Sequence, residues 1–327
     1  MPRSQHLKCH WFIVALFLVY GCACSAAPAE NANRFVHDPC IIEADGYYYI
    51  FCTGAGIPIR RSKDLVQWEQ VGRVFSEDVP AWAAQAIPGS KGIWAPDVAF
   101  FKNRFHIYYA VSTIGKNRSV IGVVTNQTLD PKSKDYHWVD EGKVIESFPN
   151  NDFNAIDPNL VFVAPGKLAL VLGSFWTGIK LVALDSITGK PSPDAPLVSV
   201  AQRPSTAIEA PFIIHRGTYY YLFVSFDACC QGIRSTYNIR VGRAKDVIGP
   251  YLDHDGKSMM QGGGSLVLGT QGNMIGPGHC AVLQSAKGDF LVYHFYDGTA
   301  NGVPTIGVRP LSWTPDGWPV ALAPLGF

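Results

Sequence analysis

The chain has 327 residues, of which 47% are hydrophobic, so it is long enough to bury a large core. Its 27 Lys and Arg nearly balance its 26 Asp and Glu, for a formal net charge of +1. Nucleic acids and anionic membrane surfaces reward clustered positive charge, so neither is expected as a partner. With 32 Gly, 23 Pro and 12% aromatic residues, the composition favours short strands and many turns, as in an all-β protein.

Residues 1–26 have the layout of a secretory signal peptide: a basic start, an apolar run over 11–20, and small residues up to a cleavage point after Ala26. The apolar run is too short for a stable membrane span, which takes about 20 residues. A lipoprotein signal with Cys22 lipidated is the alternative. We therefore expect a secreted protein, extracellular or periplasmic, whose residues 27–327 form a single domain.

Five cysteines follow this leader: Cys40, Cys52, Cys229, Cys230 and Cys280. None has the paired spacing of a zinc site. Cys40 and Cys52 could form a disulfide across one hairpin, or they could be small buried hydrophobic residues. The adjacent Cys229 and Cys230 are either a strained vicinal disulfide or two free thiols, and the sequence does not choose between them.

One pattern recurs five times: a short apolar strand, a tight turn and a more aromatic strand. The copies span 38–53, 96–110, 157–173, 209–225 and 277–295. Their starts are roughly 50 to 70 residues apart, which leaves room for four strands each. Five such units predict an all-β fold, a five-bladed β-propeller, with Tyr47, Tyr48 and Tyr49 packed between blades. A β-sandwich would explain the strands but not the repeat.

A polar residue heads each copy: Asp38, Asp97, Asp157, Glu209 and His279. Because the first strand of each propeller blade lines the axis, these side chains are expected to converge near the central channel. Carboxyls gathered in one depression can divide the roles of acid and base, which hydrolysis of a glycosidic bond requires. For Asp97 a structural role in a blade turn is the favoured interpretation. The many Trp and Tyr residues fit a sugar-binding cleft.

Six motifs then point to a family: His37-Asp38-Pro39, Trp94-Ala-Pro-Asp97, Asn154-Ala-Ile-Asp157-Pro158, Gly173-Ser-Phe-Trp176, Ile208-Glu209-Ala-Pro211 and Gly276-Pro-Gly-His279. From about His37 to its end, the chain resembles glycoside hydrolase family 43, and within it the endo-1,5-α-L-arabinanases. The resemblance implies a five-bladed propeller, in agreement with the repeat. It also implies inverting hydrolysis of (1→5)-α-arabinofuranosidic linkages within arabinan, a side chain of plant cell-wall pectin. We expect a monomer.

The resemblance also implies roles for single residues. Asp38 would be the general base and Glu209 the general acid, while Asp157 would orient Glu209 and raise its pKa by like-charge repulsion. Substrate contacts would come from Asp38, Trp94, Gly115, Asn154, Ala155, Ile156, Asp157, Ser174, Phe175 and Trp176. His279 would contact a calcium ion held otherwise largely by water, although calcium usually prefers oxygen ligands.

Two kinds of alternative stay open. Exo-acting arabinanases, α-L-arabinofuranosidases and β-xylosidases share the family, and the sequence shows poorly which loops would block one end of the cleft. A non-catalytic carbohydrate-binding propeller is the other alternative, because a fold alone does not define a function. Such a protein would have no need for the complete acidic set.

Overall fold

A computed structural model describes residues 34–204 and 206–326; the predicted signal peptide and Cys22 lie outside this part of the chain. In it, twenty strands form five antiparallel four-stranded sheets, each built from strands consecutive in sequence. A short helix, α1 (Ala81–Ala86), joins the first sheet to the second. Within these residues, no helix combines the length and apolar character needed to cross a membrane.

The strands of the five blades have the following bounds. The first two blades contain β1 (Cys40–Ala44), β2 (Tyr47–Phe51), β3 (Pro58–Ser62), β4 (Glu69–Arg73), β5 (Trp94–Phe101), β6 (Arg104–Val111), β7 (Ser119–Asn126) and β8 (Val139–Ser147). The third and fourth contain β9 (Asn159–Ala164), β10 (Lys167–Leu172), β11 (Ile179–Leu184), β12 (Val198–Ala201), β13 (Ile208–Arg216), β14 (Tyr219–Phe226), β15 (Asn238–Ala244) and β16 (Ser265–Leu268). The fifth contains β17 (Met274–Ser285), β18 (Gly288–Asp297), β19 (Val303–Trp313) and β20 (Pro319–Ala321).

The five sheets close into a ring. Their first strands contact one another in the order β1, β5, β9, β13 and β17, and β17 contacts β1 again. Both ends of the described chain join the fifth blade: Phe35 forms an antiparallel bridge with Thr305, and the Leu325 N–H donates to the Val308 carbonyl at 2.8 Å. The predicted five-bladed β-propeller is therefore confirmed.

The inner hairpins owe their tight turns to residues that tolerate a left-handed backbone. In the first blade, Asp45 and Gly46 have φ of 50° and 75°, as a two-residue turn between right-twisted strands requires. The hairpin pairs Cys40 with Phe51, which leaves Cys52 just beyond the ladder. Cys40 and Cys52 are both buried and free, so the disulfide that the sequence allowed between them is not formed.

The apolar core lies between the blades. In the described part of the chain, buried apolar side chains form five clusters, one at each blade interface. Successive side chains of a strand point to opposite faces, so Tyr49 packs against the second blade and Tyr48 against the fifth. Tyr47 is partly buried, with the Arg61 guanidinium 4.7 Å from its ring centre. The predicted packing of Tyr48 and Tyr49 between blades is confirmed.

Each inner strand has one non-glycine residue with a left-handed backbone, just before the strand in β1 and β9 and at a register shift in β5, β13 and β17. The five are Asp38 (φ 49°), Ala95 (44°), Asp157 (55°), Ala210 (54°) and His279 (45°). Such a conformation costs on the order of 1–3 kcal/mol and persists only where the surroundings impose it. The repeat position is thus shared by these five residues. The sequence alignment of the repeat was wrong for Asp97, which lies two residues later, and for Glu209, which lies one residue earlier.

The preceding blade supplies the side chain that holds this backbone. The N–H groups of four of these residues donate to a neighbour: Asp38 to His294 Nδ1 at 3.1 Å, Ala95 to Thr53 Oγ1 at 2.8 Å, Ala210 to Asp157 Oδ2 at 3.0 Å, and His279 to Ser225 Oγ at 2.9 Å. These hydrogen bonds satisfy buried backbone donors that would otherwise be costly to leave unpaired. They also link the heads of neighbouring inner strands at four of the five blade interfaces.

Asp97 belongs to a separate connection between blades. Its buried Oδ2 accepts from the Leu160 N–H at 2.7 Å and from Asn159 Nδ2 at 3.2 Å, and Asn159 Oδ1 accepts from the Ile213 N–H at 2.8 Å. Three blades are linked in this way, which supports the structural interpretation of Asp97. Burial raises the pKa of Asp97 to about 7, although the two hydrogen bonds act against that shift.

Replacing Asp97 by Asn should change how stability depends on pH. The folded pKa lies above the ordinary value of 3.8, so the folded protein binds this proton more tightly than the unfolded chain. The resulting stability is lost as pH rises through about 7. An amide keeps an acceptor for Leu160 and never ionises. We expect the free energy of unfolding of Asp97→Asn, relative to the parent, to increase by up to about 4 kcal/mol between pH 4 and pH 8.

Urea unfolding at both pH values measures this difference. The matched control is Asp194→Asn, at an exposed position. Its free energy of unfolding relative to the parent should be nearly the same at the two pH values. An Asp97→Asn difference that is the same at pH 4 and pH 8 would contradict the raised pKa.

Candidate active site

A cavity of about 810 Å³ opens where the heads of the inner strands meet. Its lining contains most of the residues singled out in the sequence: Asp38, Trp94, Gly115, Asn154, Ile156, Asp157, Ser174, Phe175, Trp176, Glu209 and His279. Ala155 is the exception, because it is fully buried and its N–H donates to Ser147 Oγ at 2.9 Å. The predicted substrate contact of Ala155 has no support in this position. Asp97 does not line the cavity either.

Asp38 is surrounded by hydrogen-bond donors. Its Oδ2 accepts from Thr53 Oγ1 at 2.6 Å and lies 2.8 Å from His37 Nδ1, while its Oδ1 lies 3.2 Å from His279 Nδ1. Burial alone would raise the pKa of Asp38, but His37 and then His279 outweigh burial and hold that pKa well below its usual range. Asp38 is therefore an ionised carboxylate at any pH near neutral.

Two histidines of different character support Asp38. Burial would lower the pKa of His37, yet the Asp38 carboxylate raises it to about 10, so His37 carries a positive charge. His294 is fully buried, and burial keeps its pKa well below the ordinary value, so it is neutral. Because His294 Nδ1 accepts the Asp38 N–H, its proton is assigned to Nε2, which lies 3.3 Å from the Tyr296 hydroxyl.

The same histidines bear on the question of a metal ion. One ligand atom each from His37, Asp38 and His294 lies within 4.8 Å of the others, a group compact enough to hold a metal ion. His294 Nδ1 already accepts the Asp38 N–H, so that nitrogen is engaged in the fold. His279, the predicted calcium contact, is outside this group and offers one imidazole to an ion that prefers six to eight oxygens. These residues fit calcium only where water completes most of its shell.

Glu209 and Asp157 form a second pair of carboxyls in the cavity. Burial raises the pKa of Glu209, against hydrogen bonds from Ser174 and Tyr237, and the Asp38 carboxylate raises it further. Burial followed by the repulsion of Glu209 raises the pKa of Asp157 well above its usual value. The two carboxyls titrate as a pair. Asp157 Oδ2 also holds the Ala210 N–H, so Asp157 fixes the backbone next to Glu209.

A glycine makes room for one of these contacts. Tyr237 is almost fully buried and hydrogen-bonds to Glu209. A Cβ on Gly278 would lie 1.9 Å from a carbon of the Tyr237 ring, a distance that no side chain can occupy. The glycine in Gly276-Pro-Gly-His279 is therefore required if Tyr237 is to support Glu209.

Aromatic side chains form an exposed wall of the cavity. Phe175 and Trp176 are 47% and 44% exposed and have positive φ of 52° and 44°. Strained backbone that presents large apolar faces to solvent is a reason to suspect binding. Asn154 stands nearby, and its Oδ1 accepts from Ser119 Oγ at 2.6 Å, which fixes its side chain and leaves its amide nitrogen free to donate.

Eight lining residues had no role predicted from the sequence, although Cys229 and Cys230 were expected in a loop on the side of the cleft: His37, Thr53, Thr113, Ile114, Lys116, Cys229, Cys230 and Tyr237. Seven of these eight lie in loops that follow the second strand of a blade. In an antiparallel sheet the second strand returns to the end where the first strand began, so its following loop faces the cavity. That rule, applied to the predicted hairpins, would have indicated these loops. His37 lies in a quoted motif but had no predicted role.

A five-bladed propeller whose cavity gathers an ionised carboxylate and carboxyls of raised pKa is the architecture of a glycoside hydrolase. Residues 32–319 match the family described as glycosyl hydrolases family 43, and the chain belongs to that family. It is an enzyme of that class.

Relatives within the family are similar over nearly their whole length. The chain is 40% identical to an extracellular exo-α-(1→5)-L-arabinofuranosidase, ArbA, of Cellvibrio japonicus, covering 96% of this chain and 93% of that protein. It is 39% identical to extracellular endo-α-(1→5)-L-arabinanase 1 of Bacillus subtilis, covering 90% and 92%. A solved Cellvibrio cellulosa α-L-arabinanase in complex with arabinohexaose superposes with a TM-score of 0.85 at 41% identity, covering 88% and 95%.

Proposed function

We propose that this hydrolase cuts (1→5)-α-arabinofuranosidic bonds within arabinan, with endo action and inversion of the anomeric centre. The observation that carries the proposal is one cavity holding an ionised Asp38 and a Glu209 of raised pKa. The ionised Asp38 suits a general base and the Glu209 of raised pKa suits a general acid, as a single-displacement hydrolysis requires. The arabinose unit and the α-(1→5) linkage in this proposal come from the names of the relatives. An exo-acting enzyme is the second candidate, because the Cellvibrio relative is named as one.

In this mechanism Asp38 activates a water molecule and Glu209 protonates the departing oxygen. Thr53 and His37 hold Asp38 Oδ2, so the direction of the base is fixed before substrate enters. A depressed pKa keeps Asp38 free of protons, and burial keeps Glu209 protonated at higher pH than an exposed glutamate. The two carboxyls therefore start in the states that an acid and a base require.

Asp157 acts through Glu209 and does not touch the reacting bond. Its hydrogen bond to the Ala210 N–H fixes the backbone beside Glu209, and when Asp157 is ionised, like-charge repulsion raises the pKa of Glu209. The repulsion is mutual, so burial and then Glu209 raise the pKa of Asp157 as well. Asp157 is thus a positioning residue that also adjusts the pKa of the acid.

Substrate is held by the aromatic wall and by fixed polar groups. Phe175, Trp176 and Trp94 offer flat apolar faces that suit the apolar faces of arabinose rings. The Asn154 amide and the Ser174 hydroxyl supply hydrogen bonds, and Gly115, with φ of 74° and no neighbour within 4 Å of an added Cβ, lets backbone approach the sugar. The signal-like leader and the relatives named extracellular support secretion as the place of action.

Glu209→Gln should remove the proton donor while keeping the shape of the side chain. We expect kcat on debranched arabinan to fall by about 10²–10⁴-fold, the usual contribution of a general acid. Glu43, an exposed residue of β1 outside the cavity, provides the matched control Glu43→Gln with parent activity. Reducing-sugar release over time measures both. Parent-like hydrolysis by Glu209→Gln would contradict the assignment of the acid.

The same assay as a function of pH tests the states of the two carboxyls. Activity should be lost as pH rises through the pKa of Glu209, which lies above 4.5, and lost on the acid side only below the ordinary Asp value of 3.8. Asp157→Asn removes the mutual repulsion of the two carboxyls, so where Asp157 loses its proton before Glu209 in the parent, the basic limb should move to lower pH. A basic limb that moves to higher pH would contradict this role.

The products of linear arabinan separate endo from exo action. Endo cleavage within the chain should give a mixture of arabino-oligosaccharides from the first minutes, with a rapid fall in viscosity. Chromatography of early samples measures the mixture. A single small product from the start, with viscosity falling slowly, would favour the exo candidate and contradict endo action.

A calcium ion at His279 is part of the proposal. It would take one nitrogen from His279 and the rest of its shell from water in the cavity, and it would strengthen the positive potential at the carboxylates. Titration calorimetry of chelator-treated protein with calcium should show one site, absent in His279→Ala and present in the exposed control His254→Ala. Equal calcium binding by both variants would contradict a site at His279.

A further inference from the structure

Two adjacent cysteines stand in the wall of the cavity, and the mechanism above does not use them. Cys229 is partly exposed and Cys230 is exposed, whereas Cys40, Cys52 and Cys280 are buried. Both Cys229 and Cys230 line the cavity beside Asp38 and Glu209. Any group attached to either sulfur would occupy space that the proposed mechanism gives to substrate.

The loop that carries these cysteines is fixed at several points. The Ala228 N–H donates to Thr236 Oγ1 at 3.1 Å, and the Gln231 N–H donates to Ser235 Oγ at 3.0 Å. The Cys230 N–H donates to the Tyr296 hydroxyl at 2.7 Å, and Cys230 has a positive φ of 63°. Cys230 is therefore placed by the fold.

This placement gives Cys230 a positively charged partner. Its Sγ lies 3.8 Å from His37 Nε2, and His37 Nδ1 lies 2.8 Å from Asp38 Oδ2. An imidazolium that a carboxylate orients stabilises a neighbouring thiolate, which is the nucleophilic form of cysteine. A hydrogen bond from Cys229, helped by His37, lowers the pKa of the Cys230 thiol to about 5, although burial opposes this. The Cys229 thiol, whose pKa that hydrogen bond raises, keeps its proton.

We propose that Cys230 is a site of thiol–disulfide exchange with low-molecular-weight disulfides, and that Cys229 is the resolving thiol that clears the resulting adduct from the substrate cavity. The Cys230 thiolate attacks one sulfur of the small disulfide, whose S–S bond breaks and releases one thiolate. With Cys230 Sγ bound in the adduct, Cys229 no longer donates to a thiolate; it releases its proton to solvent and attacks Cys230 Sγ as a thiolate. The mixed disulfide breaks, and the departing thiolate takes up a proton from solvent. Two protein thiols are oxidised to one disulfide, and one small disulfide is reduced to two thiols.

The product disulfide between neighbours should be easy to reverse. Adjacent Cα atoms are about 3.8 Å apart, closer than the usual span of roughly 4.4–6.8 Å in a disulfide. A bond under such constraint is readily reduced, so the pair can return to its dithiol form. The two alternatives left open by the sequence, a vicinal disulfide and two free thiols, are in this account two states of one site.

Oxidised glutathione is the probe. Secreted protein, residues 27–327 after the predicted cleavage, is reduced, desalted and incubated with it, and each sample is followed by intact mass, peptide mapping and arabinan hydrolysis. The parent should end with two hydrogens fewer, no retained glutathione and the hydrolysis rate of its reduced sample. Cys229→Ser should retain one glutathione on Cys230 and lose most of the activity of its own reduced sample, with recovery after dithiothreitol. Cys230→Ser should form no adduct over the same time.

Two results would overturn the proposal: a stable glutathione adduct on Cys230 of the parent, or no reaction of Cys230 in Cys229→Ser. Cys40, Cys52 and Cys280 report folding in every variant, because they stay unmodified only while buried. The measurement of arabinan hydrolysis depends on the proposed function, whereas the measurement of protein and peptide masses does not. If no sample hydrolyses arabinan, the proposed function fails and the masses still decide the exchange.

Discussion

The heads of the five inner strands depend on hydrogen bonds that cross from one blade to the next. A residue with positive φ stands at each head, and in four blades its N–H donates to a side chain of the preceding blade. Three of these acceptors, Thr53, Asp157 and His294, also lie in or beside the proposed catalytic machinery. The interaction that closes the ring therefore also positions the groups of the cavity.

The carboxyls of the cavity have different pKa shifts because they have different neighbours. Asp38 faces His37, His279 and Thr53, so its charge is stabilised despite burial. Glu209 faces hydroxyl groups and other carboxyls, so burial prevails and its proton is retained. Both side chains are enclosed to a similar degree, and the sign of the neighbouring charge decides the outcome. His37 is central, because it is the charged neighbour of Asp38 and also of Cys230.

The five-bladed propeller could be predicted from the sequence, because the signals for each hairpin lie close together in the chain. Each inner hairpin carries its own turn residues and its own apolar strand, and five copies leave few other folds. The register at the strand heads was misassigned, although a proline follows Asp38, Ala95, Asp157 and Ala210 alike. Ala95 and Ala210 occupy the repeat position of Asp38 and Asp157, and that equivalence depends on a backbone conformation imposed by the neighbouring blade. The alignment of Glu209 and Asp97 with these aspartates followed residue type and missed the conformation.

Site residues that belong to a sequence motif were predicted. Site residues that reach the cavity only because of the strand order were missed. Asp38, Asp157 and Glu209 sit in motifs, and the structure brings all three into one cavity. Tyr237, Thr53 and the cysteine pair lie in loops whose position follows from strand order. Ala155 shows the opposite error, because a residue between two lining positions of a motif can point into the core.

The central claim is that Asp38 and Glu209 act together in a single displacement, and the configuration of the first product tests it most directly. Proton NMR of debranched arabinan during the first turnovers should show the newly formed reducing end as the β-anomer, with the α-anomer appearing later by mutarotation. Release of the α-anomer first would mean retention through a covalent intermediate, and it would contradict the assignment of Asp38 as a base that activates water.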